Sequence, residues 1–191
     1  PKYFSTLNHH EFIVGTTLPD ISTIDKSIES DHKAEVTSLK NIQNMTPLLA
    51  GMNFHYIVDK LWSDIFVENQ ILGEYSGKKG VSVGLKTFTD SLYYSKINNW
   101  DILAKYFEII YPSEKLLKYN IRTLTKWHRI IMDYISNKPN TQILKSFGRI
   151  TEFSEDTITL AKETFNILQN NKSQKKRLHR LYDEFPERMD L

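Results

Sequence analysis

From Thr46 to about Gln70 apolar residues return every three or four positions without a break. Thr46-Pro47 opens the run with an N-cap residue followed by proline at the first helical position. One long helix follows, and the rest of the chain has to pack around it. Inside it, the segment Met52 to Trp62 sets an imidazole and a carboxylate four residues apart, so His55 and Asp59 lie one turn above each other. Leu48, Met52, Val58, Trp62, Ile65 and Phe66 share or border their face, which makes it an inward one. An inward carboxylate without a partner either suffers a large desolvation cost or protonates. A bound metal and a buried hydrogen-bonded pair are the two ways to satisfy it.

Around this helix the sequence reads as further helices. Residues 1–32 are punctuated by Pro, Gly, Thr, Ser and Asp, with a short apolar group at Glu11 to Gly15 leading into Thr16-Thr17-Leu18-Pro19-Asp20. Asp20, Asp25, Glu29 and Asp31 then form a mainly acidic loop before His32, and a short helix is expected at Lys33 to Ile42. Residues 73–84 hold four of the seven glycines and read as a flexible loop. Gly77-Lys78-Lys79-Gly80 within it lacks the Gly-Lys-Ser/Thr ending of a phosphate loop. Helical spacing resumes over Leu85 to Ile97, Trp100 to Tyr111, Ser113 to Ser136, Thr141 to Phe147, Ser154 to Asn170 and Ser173 to Phe185, with Ser113 and Ser154 as N-caps. Strand-like alternation is nearly absent. The expectation is a single all-α domain over residues 1–191, with about six to eight helices and short connections.

Composition narrows the chemistry. With 40% hydrophobic and 12% aromatic residues there is material for a core without covalent staples. No cysteine is present, which removes disulfides and thiolate metal sites and leaves His, Asp and Glu as ligands. A net charge of +2 gives no global field for nucleic acid or an anionic membrane. Local contact through Lys172, Lys175, Lys176, Arg177 and Arg180, on a basic C-terminal helix at about 173–185, is the one such route. No run is long and apolar enough to span a bilayer. The sequence leaves the compartment unknown, with a soluble, cytoplasmic chain slightly favoured.

Among the six histidines, His179 lies in the basic segment. His128 has no acid on its own helical face and reads as a core or surface residue, and His9 and His10 precede the first apolar group. Asp20, His32, His55 and Asp59 remain, in an order that lets a rigid i, i+4 pair meet two ligands from a preceding loop. Two imidazoles and two carboxylates suit zinc, or another divalent metal such as manganese or iron.

At Gly15-Thr16-Thr17-Leu18-Pro19-Asp20, His32, and Gly51-Met52-Asn53-Phe54-His55-Tyr56-Ile57-Val58-Asp59, the chain resembles the zinc-dependent phospholipases C and the related single-strand zinc nucleases. The resemblance covers roughly residues 9–70. It implies an all-helical enzyme, with Asp20, His32, His55 and Asp59 on one zinc and His9 or His10 as further ligands. The family's later His-x-x-x-Glu or His-x-x-x-Asp pairs, and its N-terminal Trp, have no counterpart here.

Two functions follow as expectations. The first is a metal-dependent hydrolase of phosphoric esters, phospholipid-like or nucleotide-like. Its metal lowers the pKa of a bound water, and Asp20 orients or deprotonates that water. The second is a non-enzymatic helical binding or interaction protein, with a structural His55–Asp59 pair and the basic C-terminal helix as its contact surface. A Ser-His-Asp hydrolase is disfavoured because no Gly-x-Ser-x-Gly occurs. Phosphohydrolases with a His-Asp dipeptide are disfavoured too, since Asp31-His32 has the reverse order.

Overall fold

The expected long helix forms as α3 (Pro47–Glu68), capped in extended geometry by Thr46. It reaches three separate parts of the core, one of them through Ala50, which packs with Phe12, Leu39 and Ile42. Near its start, Leu48 packs with Val14, Leu18, Ile21, Phe107, Leu124 and Trp127. Toward its end, Ile65 packs with Leu85, Phe88, Phe165, Leu178 and Leu181. The computed structural model describes residues 8–28, 38–71, 73 and 78–189, and all that follows concerns those residues.

Ahead of α3 lie α1 (His9–Gly15), capped by Asn8, then a 3-10 turn (Leu18–Thr23) that begins at the Leu18-Pro19 step, and α2 (Leu39–Ile42). The first part of the helix expected over Lys33 to Ile42 lies outside the described residues. α1 crosses α3 where Gly15 faces Gly51. A Cβ on Gly51 would overlap the carbonyl oxygen of Phe12 and lie 3.0 Å from the Gly15 Cα. Two of the glycines that carry the sequence resemblance are thus used to bring two backbones together.

Of the segment read as a flexible glycine loop, residues 79–84 are helical, and 74–77 lie outside the described residues. α4 (Lys79–Tyr93) begins inside it, and Gly80 and Gly84 lie flat against Thr157, Leu160, Ala161 and Thr164 of α9 (Glu155–Asn170). Helical spacing was masked there because glycine, the small residue needed for close approach, is also the residue of turns. Of the Gly77-Lys78-Lys79-Gly80 segment, Gly77 lies outside the described residues, Lys78 caps α4 and Lys79-Gly80 are helical.

After α4 a 3-10 turn (Tyr94–Lys96) leads to α5 (Trp100–Lys105), which ends six residues before the expected Tyr111. The stretch expected as one helix from Ser113 to Ser136 is two, α6 (Pro112–Lys115) and α7 (Ile121–Ser136). Pro112 opens α6, and Tyr111, not Ser113, is its cap. Asn120 restarts the helix by accepting the Arg122 N–H at 2.8 Å. On α7 the residues Leu124, Trp127, His128 and Ile130 turn inward at helical spacing.

α8 (Thr141–Ile150) and α9 complete the packing around α4, the latter capped as expected by Ser154, whose Oγ accepts the Thr157 N–H at 3.2 Å. α10 (Lys172–Met189) runs past Pro186. It inserts Leu178, Leu181 and Phe185 into the core, so the helix that carries the basic residues is anchored by its apolar face. Among the described residues no strand forms and no helix is long and apolar enough to cross a membrane. The domain is all-α as expected, with more helices than six to eight because several are single turns.

Candidate functional site

The structure brings Asp20, His55 and Asp59 together, at the rim of the core and not inside it. His55 Nδ1–H donates to the Thr16 carbonyl at 2.9 Å. Its Nε2 lies 3.4 Å from Asp59 Oδ2 and 3.9 Å from Asp20 Oδ1. The other oxygen of Asp59 receives the Lys86 ammonium at 2.8 Å. Burial works against the imidazolium, but the adjacent Asp59 and the charge of Asp20 outweigh it and hold the His55 pKa above its ordinary value. Burial likewise works against the Asp59 carboxylate, and His55 and Lys86 outweigh it, holding that pKa well below the usual range.

This geometry corrects the expected metal-dependent hydrolase. Among the described residues no group of three or more His, Asp or Glu is placed to hold a metal ion. A metal ligand presents a lone pair at about 2 Å from the ion. Here His55 Nδ1 is occupied by the Thr16 carbonyl, Nε2 faces two carboxylates that favour its protonation, and Asp59 is neutralised by the Lys86 ammonium. Asp20 stands 3.9 Å from His55 Nε2 with nearly half of its side chain in solvent. His9 and His10 are exposed, and His10 stacks on Tyr106 with ring centroids 4.1 Å apart. His32 lies outside the described residues. The inward carboxylate has found a partner, and the partner is Lys86 on α4.

The network has a pH signature. Because the folded-state His55 pKa is raised, its contribution to stability is fully present below about pH 6.5 and is lost as pH rises through the folded value. The Asp59 contribution, from a depressed pKa, is present above about pH 3.8 and is lost as pH falls through its folded value. Thermal denaturation from about pH 6 to about pH 9 should therefore show a falling Tm in the wild type and a flatter profile in Asp59→Asn. Identical slopes would remove the ion pair from the account.

A different set of side chains forms a pocket. Tyr93 and Tyr94 at the end of α4, Trp100 at the start of α5, Tyr134 on α7 and Tyr182 on α10 surround an open-sided cavity of about 200 Å³, with Asp90 in its wall. Each ring is held. Tyr93 stacks on Tyr182 with centroids 3.4 Å apart, and its hydroxyl donates to the His179 carbonyl at 3.3 Å. Trp100 stacks on Tyr94 at 4.8 Å and donates its indole N–H to the Tyr94 carbonyl at 2.7 Å. The Tyr94 hydroxyl donates to the Ile135 carbonyl at 3.0 Å, and the Tyr134 hydroxyl donates to Asp90 Oδ2 at 2.6 Å.

Asp90 lines the pocket with its side chain exposed, and protein atoms are packed around it. That crowding raises its pKa against the opposing Tyr134 hydrogen bond and Lys86 charge. Burial, reinforced by the Asp90 charge, pushes the phenols of Tyr134 and Tyr182 upward, and burial also raises Tyr93. All three rings are neutral at ordinary pH.

The sequence contained one sign of this site, the Tyr93-Tyr94 pair followed by Trp100. Aromatic residues at such spacing read as core until the partner segments are known. Comparison of the chain with family models, with curated proteins and with solved structures finds no match.

Proposed function

We propose that this chain is a small-molecule binding protein whose ligand site is the Tyr–Trp pocket where α4, α5, α7 and α10 meet. The observation that carries this reading is the fixed aromatic wall. Five rings drawn from four helices and a 3-10 turn line one open-sided cavity, and stacks and hydrogen bonds to neighbouring groups hold them in place. Concave sites of aromatic surface with a few placed polar groups are the usual form of a ligand pocket. Preformed walls also reduce the entropy lost on binding. At about 200 Å³ the cavity favours a ligand of headgroup size over a drug-sized one.

Saturation-transfer NMR on the full chain, with a panel of small organic molecules, tests the reading. Members of the panel should receive saturation from the wild type and lose it in Trp100→Ala. Trp100 is partly exposed, so this substitution spares the core. A panel without binders, or binders indifferent to Trp100→Ala and to Tyr134→Ala, would remove the pocket as the functional site.

A further inference from the structure

We propose that the ligand of this pocket is a small organic cation, an amine or methylated ammonium, with its charge against Asp90 and its carbons on the faces of the surrounding rings. The inference rests on the reading of the pocket as a ligand site and adds the chemistry of the ligand.

The first support is a carboxylate whose nearby cations are engaged elsewhere. Asp90 uses Oδ2 to accept the Tyr134 hydroxyl, a neutral donor. Lys86 lies one turn earlier on α4, the spacing at which an ammonium reaches a carboxylate. Its ammonium is instead 2.8 Å from Asp59 and acts on Asp90 only through space. Lys96, just beyond α4, pairs with Asp183 at 3.5 Å and lies 4.6 Å over the Tyr93 ring. The His55 network thus holds away from the pocket the cation that would otherwise neutralise it.

The second support is the wall itself. Neutral tyrosine and tryptophan rings carry negative charge on their faces and attract a cation, most strongly when it is desolvated. One face of Tyr93 is taken by the Lys96 ammonium and the other by the Tyr182 stack, so the faces left for a ligand are on the other rings. An anionic ligand such as a phosphate ester would meet the Asp90 carboxylate and the ring faces together. A cation is favoured by both.

The third support is size. A trimethylammonium group with a two-carbon arm suits a cavity of about 200 Å³, and the open side leaves room for a substituent to extend into solvent.

Calorimetric titration of the full chain with choline, and with its neutral isostere 3,3-dimethyl-1-butanol at matched ionic strength, tests the proposal. Choline should bind with a Kd on the order of 1 mM or tighter, and at least about tenfold more tightly than the isostere. Asp90→Asn should remove most of that preference while leaving the weak binding of the isostere. Asp59→Asn, which frees Lys86 to turn to Asp90, should weaken choline although residue 59 does not line the pocket. Helical circular dichroism would establish that both variants are folded.

Equal binding of choline and isostere, abolished by Trp100→Ala, would overturn the cation proposal and leave the pocket standing. Choline binding that survives Asp90→Asn and Tyr134→Ala unchanged would overturn it as well, by placing the ligand elsewhere. Absence of binding by either compound, together with an empty panel in saturation transfer, would overturn both readings.

Discussion

Replacing Glu114 by Ala should lower the stability of the protein by about 3–5 kcal/mol. For a chain of this size that corresponds to a fall in Tm of about 6–20 °C. The reason lies in the break between α5 and α6. In a continuous helix the Tyr111 N–H would bond to the Phe107 carbonyl. Here the chain turns between them, and the two backbone groups are joined through side chains. The Phe107 carbonyl accepts from His128 Nδ1–H at 3.0 Å, His128 Nε2 meets Glu114 Oε1 at 2.7 Å, and Glu114 Oε2 accepts the Tyr111 N–H at 2.8 Å. Glu114 is fully buried and His128 nearly so.

Nδ1 must donate to a carbonyl, and Nε2 forms a 2.7 Å hydrogen bond with Glu114 Oε1 between two buried groups. Neither group has water to fall back on, so removing one strands the other. Glu114→Gln keeps an acceptor for Tyr111 and a donor for Nε2, and should cost only about 1–2 kcal/mol. Chemical denaturation of the two variants checks the ranking, and faster amide exchange at Tyr111 checks the location. An alanine variant as stable as wild type would show that the relay does not hold the break closed.

Gly51→Ala should destabilise by about 3 kcal/mol, against the ordinary trend. In an exposed helix the same change stabilises, by about 0.5–1 kcal/mol, because alanine loses less backbone entropy on folding. Gly51 is inside α3, so propensity alone predicts a gain. Packing reverses the sign. The added methyl would occupy the space of the Phe12 carbonyl oxygen, and both obstructing atoms are backbone, which cannot rotate away as a flexible side chain can. α1 must shift as a unit, and with it the Thr16 carbonyl that holds the His55 ring. Gly73→Ala is the control: a Cβ there meets nothing within 4 Å, and the cost is only that of φ +50°, about 1 kcal/mol. Denaturation midpoints for the pair check the prediction. A Gly51→Ala variant more stable than wild type would contradict the close crossing.

These positions show what a linear reading reaches. α3 was legible because Thr46-Pro47 and an unbroken apolar period act within a few residues of each other, and Ser154 announced α9 for the same local reason. The break within 113–136 was not: helical spacing continues through it, and only the folded chain shows Asn120 capping a new helix by accepting the Arg122 N–H. The pairing of His55 with Asp59 was visible as an i, i+4 spacing, and Asp20, expected as a metal ligand, lies 3.9 Å from the His55 ring. Whether the set would bind metal depended on Lys86, 27 residues beyond Asp59, and nothing near Asp59 marks that lysine as its partner. The pocket is the extreme case. Its residues come from 90–100, 134–139 and 182, and only tertiary packing places them around one space.

The central claim is that binding takes place at the aromatic pocket and not at the His55 network. An NMR titration of the uniformly 15N-labelled full chain with tetramethylammonium tests it most directly. The three tryptophan indole N–H signals serve as reporters. The account predicts a saturable shift of the Trp100 indole and of backbone amides at residues 90–100, with the Trp127 indole and the amides around His55 unmoved. Shifts centred on His55 and Asp59, or none at Trp100 under saturating cation, would contradict it.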